Sequence, residues 1–221
     1  MKQKHIAIDG DSASGKTTIG RMLAERLNFT FIDSGLFYRA ATYIILKNGM
    51  EKEKDKWVKL IAANKILLKD GSIYINEEKI EEEILHSSDV DNLVSPVSTV
   101  PEIRNFITLT LQEHANNKNV VMTGRDIGTV VLKGAFLKIY LTANVEIRTG
   151  RRFKELIEKG IKVSFEDVLE NLKKRDTIDS SREKSPLAVA NDAFLINTTE
   201  LSEEENIEKI FLFMKGKKYA L

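Results

Sequence analysis

Apolar positions in this chain keep two rhythms, and the rhythms alternate. His5–Asp9 (HIAID) is an apolar run of strand length. A helical period follows from about Thr17 to Leu27, with Ile19, Met22, Leu23 and Leu27 on one face. Phe29–Asp33 (FTFID) reads as a second strand, and Gly35 to Lys47 as a helix stopped by Asn48-Gly49. A stretch rich in Lys and Glu leads into a helix around Trp57. Between Lys65 and Asn76 the period shortens. Ile66 and Leu68, then Ile73 and Ile75, flank Asp70-Gly71, the strongest short-range signal for a hairpin. Pro101 suits the first turn of a helix that runs to about Asn116.

The larger alternation then resumes. Asn119–Met122 (NVVM) and Leu137–Leu141 (LKIYL) read as strands, and Val145–Glu158 and Ser164–Lys174 as helices. Ser164 and Asp167 open the second of these helices. A short strand, Phe194–Ile196, precedes a last amphipathic helix capped by Ser202 and Glu205. Strands alternating with helices predict an α/β fold, a parallel sheet covered on both faces, with a small β element inserted. There is no internal repeat and no low-complexity linker, and 221 residues fit one domain with room for a small subdomain.

Composition narrows the setting. The residues are 42% hydrophobic and 30% charged, the balance of an ordinary soluble protein. No apolar run approaches a membrane span, and MKQKHIAID lacks the apolar region of a secretory signal. With no cysteine and only three histidines, thiolate sites are excluded and a histidine metal cluster is not expected. A net charge of +1 makes no bulk case for nucleic acid or an anionic membrane as partner. The chain reads as a cytoplasmic monomer.

The arginines change this picture. Ten of the 34 basic residues are Arg, and eight of those sit in or beside the motifs described next: Arg39, Arg104, Arg125, Arg148, Arg151, Arg152, Arg175 and Arg182. The guanidinium fork grips phosphate oxygens in pairs, as the Lys ammonium does not.

Gly10-Asp11-Ser12-Ala13-Ser14-Gly15-Lys16-Thr17 fits G-x-x-x-x-G-K-[ST] between a strand and a helix. Glycines let amide groups curl around phosphates, Lys16 reaches the β- and γ-phosphates, and the Thr17 hydroxyl binds Mg²⁺. The helix start adds its positive dipole end. This loop predicts binding of Mg-ATP, with Thr18 completing the segment. Alone it leaves open a kinase for any small acceptor, such as UMP or a nucleoside, or a nucleotide-binding switch. A switch, however, needs mobile switch segments rather than eight arginines for a second anion.

Four more segments bear on the acceptor. They are Asp33-Ser34-Gly35-Leu36-Phe37-Tyr38-Arg39; SPVSTVPEIR from Ser95 to Arg104; TGRDIGTVV from Thr123 to Val131; and RDTIDSSR from Arg175 to Arg182, followed by Ser185-Pro186-Leu187 and Asp192-Ala193. Together, and in this order, they resemble the bacterial cytidylate kinases, a family of P-loop nucleoside monophosphate kinases. The Asp-Gly hairpin falls where that family carries an insert. The resemblance implies transfer of the γ-phosphate of ATP to CMP or dCMP. It implies a P-loop core over 1–34, 118–151 and 166–221, a monophosphate-binding region over 35–117 and a short lid over 152–165. Arg39, Arg125 and Arg182 would hold the acceptor phosphate. Ser34, Ser95, Arg104 and Asp126 would line the base pocket, and Arg175 and Asp179 would meet the sugar. Arg148, Arg151 and Arg152 lie at or before the lid and are catalytic candidates together with Lys16 and Arg125.

Residue chemistry fits without the family. The attacking phosphate oxygen is already anionic, so no acid–base residue is needed; positioning and positive charge supply the catalysis. Some roles stay open. Asp126 either reads the base or aims Arg125, Asp33 either starts a helix or belongs to the metal site, and Asp179 either meets the sugar or caps a turn. Tyr38 reads as core. Two segments depart from the family: Ala13-Ser14-Gly15-Lys16-Thr17-Thr18 replaces its usual Gly-Ala-Gly-Lys-Gly-Thr, and Thr123 stands where it usually has Asp.

Overall fold

A computed structural model describes residues 3–217. The outer limits expected for the domain, residues 1 and 221, lie outside that range, as do the first two residues of MKQKHIAID. In chain order the elements are β1 (His5–Gly10), α1 (Lys16–Leu27), β2 (Thr30–Asp33), α2 (Ser34–Lys47), α3 (Lys54–Ala62), β3 (Ile66–Lys69), β4 (Ser72–Ile75), β5 (Glu78–Ile80), α4 (Glu82–Leu85), α5 (Ser88–Ser98) and α6 (Pro101–Ala115). Then come β6 (Val120–Thr123), a π-helical turn (Ile127–Val131), β7 (Leu137–Thr142), α7 (Val145–Glu158), α8 (Phe165–Ser181), β8 (Phe194–Asn197) and α9 (Glu203–Gly216).

The chain forms two compact units, one of Met1–Phe31 and Lys118–Leu221, the other of Ile32–Asn117. The first carries the large sheet, five strands in the order β2-β6-β1-β7-β8, except for the last two residues of β2, with which the second begins. Its pairings β1 with β6, β1 with β7 and β7 with β8 are parallel, and Ile8 sits opposite Thr123 and Ile139. The parallel sheet expected from the strand–helix alternation is therefore present. Its core is built from Ile6 and Ile8 of β1, Val121 of β6, the alternating Leu137, Ile139 and Leu141 of β7, Ile19 and Leu23 of α1, and Ile207, Ile210 and Met214 of α9. α9 has the capping box that its sequence predicts: Ser202 Oγ accepts from Glu205 N, and Glu205 Oε2 accepts from Ser202 N.

The second unit carries an antiparallel sheet, β3-β4-β5. Leu68 pairs with Ile73 and Lys69 with Ser72, so Asp70-Gly71 is a two-residue turn. Both turn residues have positive φ, the mark of type I′. Around the hairpin, Phe37, Ile45, Trp57, Ile61, Ile66, Ile73, Ile107 and Leu111 are buried.

The sequence reading lacks α4 and the π turn, and three further differences have a local cause. β5 follows a second tight turn, Asn76-Glu77, again with positive φ at both residues but with no glycine to announce it. α5 holds Pro96 in its last turn, where a proline reads as a helix breaker. α8 runs to Ser181 rather than ending near Lys174. Its buried stripe is apolar at Val168 and Leu172, then continues as Asp179, so apolar periodicity loses the helix there. Among the described residues no helix is long and apolar enough to cross a membrane.

Candidate functional site

In the first unit the phosphate loop hangs from the end of β1. Gly10 has φ 146°, and a Cβ there would lie 1.9 Å from the Leu141 carbonyl oxygen, so only glycine lets the chain turn beside β7. The loop closes on α1 through Gly15, left-handed at φ 92°, and Lys16 is the first residue of the helix. Lys16 Nζ donates to its own loop, to Asp11 O and to Ser14 Oγ (3.4 Å). Thr17 and Thr18 follow on the exposed side of the helix start. The Asp11 carboxylate accepts from Thr142 Oγ1 (2.7 Å) and Tyr140 Oη (3.2 Å). Burial and the neighbouring Asp11 push the Tyr140 hydroxyl up, which keeps it a donor.

Ser12 is the hub of the loop. Its N–H donates to Asp176 Oδ1 (3.2 Å), its carbonyl accepts from Arg148 Nη1 (3.1 Å), and its Oγ accepts from Arg125 Nη2 (2.9 Å). Ser14 O accepts from Thr198 Oγ1 (3.1 Å), and Arg151 donates to that same threonine, at Oγ1 (3.0 Å) and O (2.7 Å). Arg148 Nη1 also meets Asp176 Oδ2 at 2.5 Å.

α8 supplies the carboxylates behind the arginines. Asp179 accepts from Arg125 Nε (2.8 Å) through one oxygen and from Arg182 Nη1 (3.0 Å) through the other. Burial alone would raise the Asp179 carboxyl; Arg125, Arg182 and Arg175 outweigh it and hold it below the usual carboxylate range. Of the roles left open for Asp179, its carboxylate does not cap a turn; it pairs two arginines. Arg152, on the same helix as Arg148 and Arg151, instead pairs with Glu155 (2.8 Å). Burial would raise Glu155, but Lys159 and Arg152 bring it below its ordinary value. α7 thus continues to Glu158 through the first half of the segment expected as a lid.

β1 contributes one more carboxylate. Asp9 is 4% exposed and accepts from the first two amides of the π turn, Ile127 N (2.7 Å) and Gly128 N (2.8 Å). Asp126, immediately before that turn, is buried, and its carbonyl accepts from Val130 N (2.8 Å) and Val131 N (3.2 Å). Thr123 ends β6 with its Oγ1 buried and without a hydrogen-bond partner among the described residues.

The second unit gathers the remaining candidates. Ser34 opens α2 and is buried, and Asp33 caps that helix by accepting from Gly35 N (2.9 Å), so the helix-starting role holds. Arg39 is buried, donating to Leu85 O (2.8 Å) and to Asp91 Oδ1 (2.6 Å) of α5. Ser95 lies on α5 half-buried, and its carbonyl accepts from Ser98 Oγ (2.8 Å). Arg104, on α6, is buried, donates to Ser98 O (3.2 Å) and stands 5.3 Å above the Tyr38 ring. Tyr38 is half-buried under that guanidinium rather than sealed in the core.

A family model described as cytidylate kinase matches residues 6–215. The chain belongs to the cytidylate kinase family. Among curated relatives, a cytidylate kinase of Caldanaerobacter subterraneus subsp. tengcongensis is 43% identical over 93% of this chain and 92% of its own. One of Alkaliphilus oremlandii is 42% identical over 98% of this chain and 100% of its own. Among solved structures, a shikimate kinase of Bacteroides thetaiotaomicron covers 96% of this chain and 98% of its own with a TM-score of 0.52 at 13% identity, a likeness of fold. The cytidylate kinase motifs themselves are divided between the two units. The sequence reading missed Asp9, Asp176 and Thr198 as supports of the loop and its arginines. Asp176 stands inside the segment RDTIDSSR, which was the one available signal.

Proposed function

We propose that the protein transfers the γ-phosphoryl group of ATP to CMP or dCMP, giving CDP or dCDP, with the residues assigned above in those roles. The activity is that of its family. The observation that carries the residue assignment is Arg125. In the motif it is an acceptor-phosphate residue, and its guanidinium is bonded to Ser12 of the donor loop (2.9 Å) and to Asp179 (2.8 Å). An acceptor-phosphate residue of the motif is thus hydrogen-bonded to the donor loop. In the reaction an acceptor phosphate oxygen forms a bond to the γ-phosphorus as the bond to the β,γ-bridging oxygen breaks, and ADP leaves. Negative charge builds on the transferred oxygens. Lys16 exchanges its loop carbonyl for those oxygens, and Arg125, Arg148 and Arg182 add charge that is already aimed. Arg39 helps hold the acceptor phosphate, Ser34, Ser95, Arg104 and Asp126 read the base, and Arg175 and Asp179 meet the sugar. Arg151 and Arg152 belong to the lid's approach.

The residues fit a magnesium ion carried by ATP. Among the described residues no group of three or more His, Cys, Asp or Glu could hold a metal alone, which suits an ion bound chiefly through phosphates. Thr17 is exposed, and Thr123 offers a buried hydroxyl without a hydrogen-bond partner among the described residues. Held by Thr17, such an ion would neutralise charge on the triphosphate. The same reading places the protein in the cytoplasm as a monomer acting on free nucleotides, with neither nucleic acid nor membrane as partner; its near-neutral charge supports this.

An ADP-release assay over CMP, dCMP, UMP and AMP tests the reading. CMP should exceed UMP by roughly 10²-fold in kcat/KM, because a wrong base leaves buried polar groups unpaired. Asp126→Asn should shrink that ratio, since an amide can offer uracil O4 a donor. An unchanged ratio with measurable activity reduces Asp126 to a support of Arg125. Equal use of CMP and UMP by the unaltered chain overturns the base-reading assignment.

A further inference from the structure

We infer that Asp9 is a positioning residue for the acceptor: it ties the Arg125-Asp126 segment to the strand that carries the phosphate loop. The inference rests on the acceptor roles of Arg125 and Asp126 proposed above, and it adds a residue that no motif assigns.

Asp9 is the next-to-last residue of β1, and Gly10 begins the phosphate loop. Its carboxylate does not face the loop's amides. Each oxygen takes one amide of the π turn, Ile127 N at 2.7 Å and Gly128 N at 2.8 Å. Both bonds span more than a hundred residues of sequence and both are buried. A buried carboxylate is costly, and a carboxamide would avoid that cost, but it offers one acceptor oxygen where two amides point. Single π turns are rare, and they occur frequently at functional sites. This one starts directly after Asp126, whose own carbonyl closes it. Pulling two amides onto Asp9 fixes where the preceding Arg125 and Asp126 leave the backbone.

Gly128 shows how close the fit is. A Cβ on it would lie 3.3 Å from Asp9 Oδ2 and 3.1 Å from Lys138 Cδ. The titratable groups around it are Asp126 just before the turn, Lys16 from α1, and Lys138 and Tyr140 from β7. Burial pushes the Asp9 carboxyl up, against the two amides that lower it, to about 6, with Asp126 adding to the rise and Lys16 opposing it. Protonation therefore weakens the tie just below neutral pH.

The test measures KM for CMP and KM for ATP separately in Asp9→Asn, Gly128→Ala and Arg125→Ala, with thermal unfolding as a check on folding. Asp9→Asn should raise KM for CMP about tenfold, the effect of losing one charge-assisted bond, and leave KM for ATP within about twofold. Gly128→Ala, which keeps the charge but crowds the carboxylate, should move KM for CMP the same way by less. It decides the question should Asp9→Asn not fold. The acceptor phosphate itself titrates near 6, so the pH readout is the difference between variant and unaltered enzyme. The fall in kcat/KM for CMP between pH 7.5 and 5.5 should be shallower in Asp9→Asn. Equal rises in both KM values, or no change in either, overturn the inference, because Asp9 then supports only the phosphate loop or nothing. If Arg125→Ala raises KM for CMP and the other two variants do not, the inference falls alone. If Arg125→Ala leaves KM for CMP unchanged, the acceptor assignment falls and this inference with it.

Discussion

The loop from Gly10 to Lys16 and the last two turns of α8 both place polar groups inside the first unit, and they do so with different materials. The loop uses backbone. Gly10 and Gly15 take dihedrals that side-chain-bearing residues avoid, and Ser12 presents its N–H, C=O and Oγ to three different partners. α8 uses side chains on a regular helix. Asp176 and Asp179 sit three residues apart and hold Arg148, Arg125 and Arg182. A backbone cradle is tolerant of what its side chains are and intolerant of any change in its glycines. A side-chain lattice is the reverse: its helix would form with many sequences, but its aim depends on each carboxylate. Catalytic power should therefore fall hardest for Lys16, the loop's one cation, and binding precision should fall for changes in α8.

The largest effect is expected at Lys16. Lys16→Ala should lower kcat by about a hundredfold or more, the scale for removing one electrostatic contact to transferring charge. Lys16 sits at a helix start rather than in the apolar core, so the melting temperature should stay close to that of the unaltered chain. Near-normal turnover in a folded variant would falsify this role.

Asp179→Asn is the middle case. Two arginines lose a shared carboxylate, and each charge-assisted bond contributes about 1.5–3 kcal/mol. KM for CMP should rise roughly tenfold, with kcat falling less. The pH dependence has a definite sign. The folded Asp179 carboxyl lies below its unfolded value of about 4. Its contribution to stability is present in full above that unfolded value and is lost as pH falls through the folded one. In urea titrations the unaltered chain should exceed Asp179→Asn in stability at pH 7, and the gap should close below about pH 4. A gap independent of pH means that the carboxylate is not an ion-pair partner in solution.

The smallest effect tests whether these losses are local. Ser202 caps α9, outside both segments. Ser202→Ala should cost about 1 kcal/mol of stability with kcat and both KM values unchanged. A change in kinetics of Asp179 size at this position would mean that the first unit transmits any destabilisation to the site, and the contrast drawn above would lose its force.

The same contrast explains what could be read from the sequence. The loop was legible because its chemistry needs eight contiguous residues at fixed spacing. The parallel sheet was legible because β1, β6 and β7 are apolar runs of the right length. The end of α8 was not, since the positions that should repeat as apolar carry Arg175, Asp176 and Asp179, and a charged stripe looks like solvent-facing helix. Concentration of arginine picked out the motifs, yet the partners that hold those arginines did not stand out. Asp9 meets the π turn and Asp176 meets Ser12 across more than a hundred residues, distances at which no spacing rule applies. In the second unit, β5 was hidden by Asn76-Glu77 and α5 by Pro96, two places where the local signal disagrees with the fold.

The path of the chain through the first unit has an engineering consequence. It leaves after Phe31 and returns at Lys118, and Thr30 N donates to Asn119 O at 2.9 Å, so exit and re-entry are neighbours. Every member of the large apolar cluster, from Ile6 to Met214, falls on one side or the other of that excursion and none within it. Excising the intervening segment and joining the ends with a short linker carries little closure entropy. The remainder would keep a whole core and an intact phosphate loop while giving up Arg39, Ser95 and Arg104. The excursion can thus be exchanged as one contiguous cassette that carries Arg39, Ser95 and Arg104 with it and leaves the phosphate loop in place.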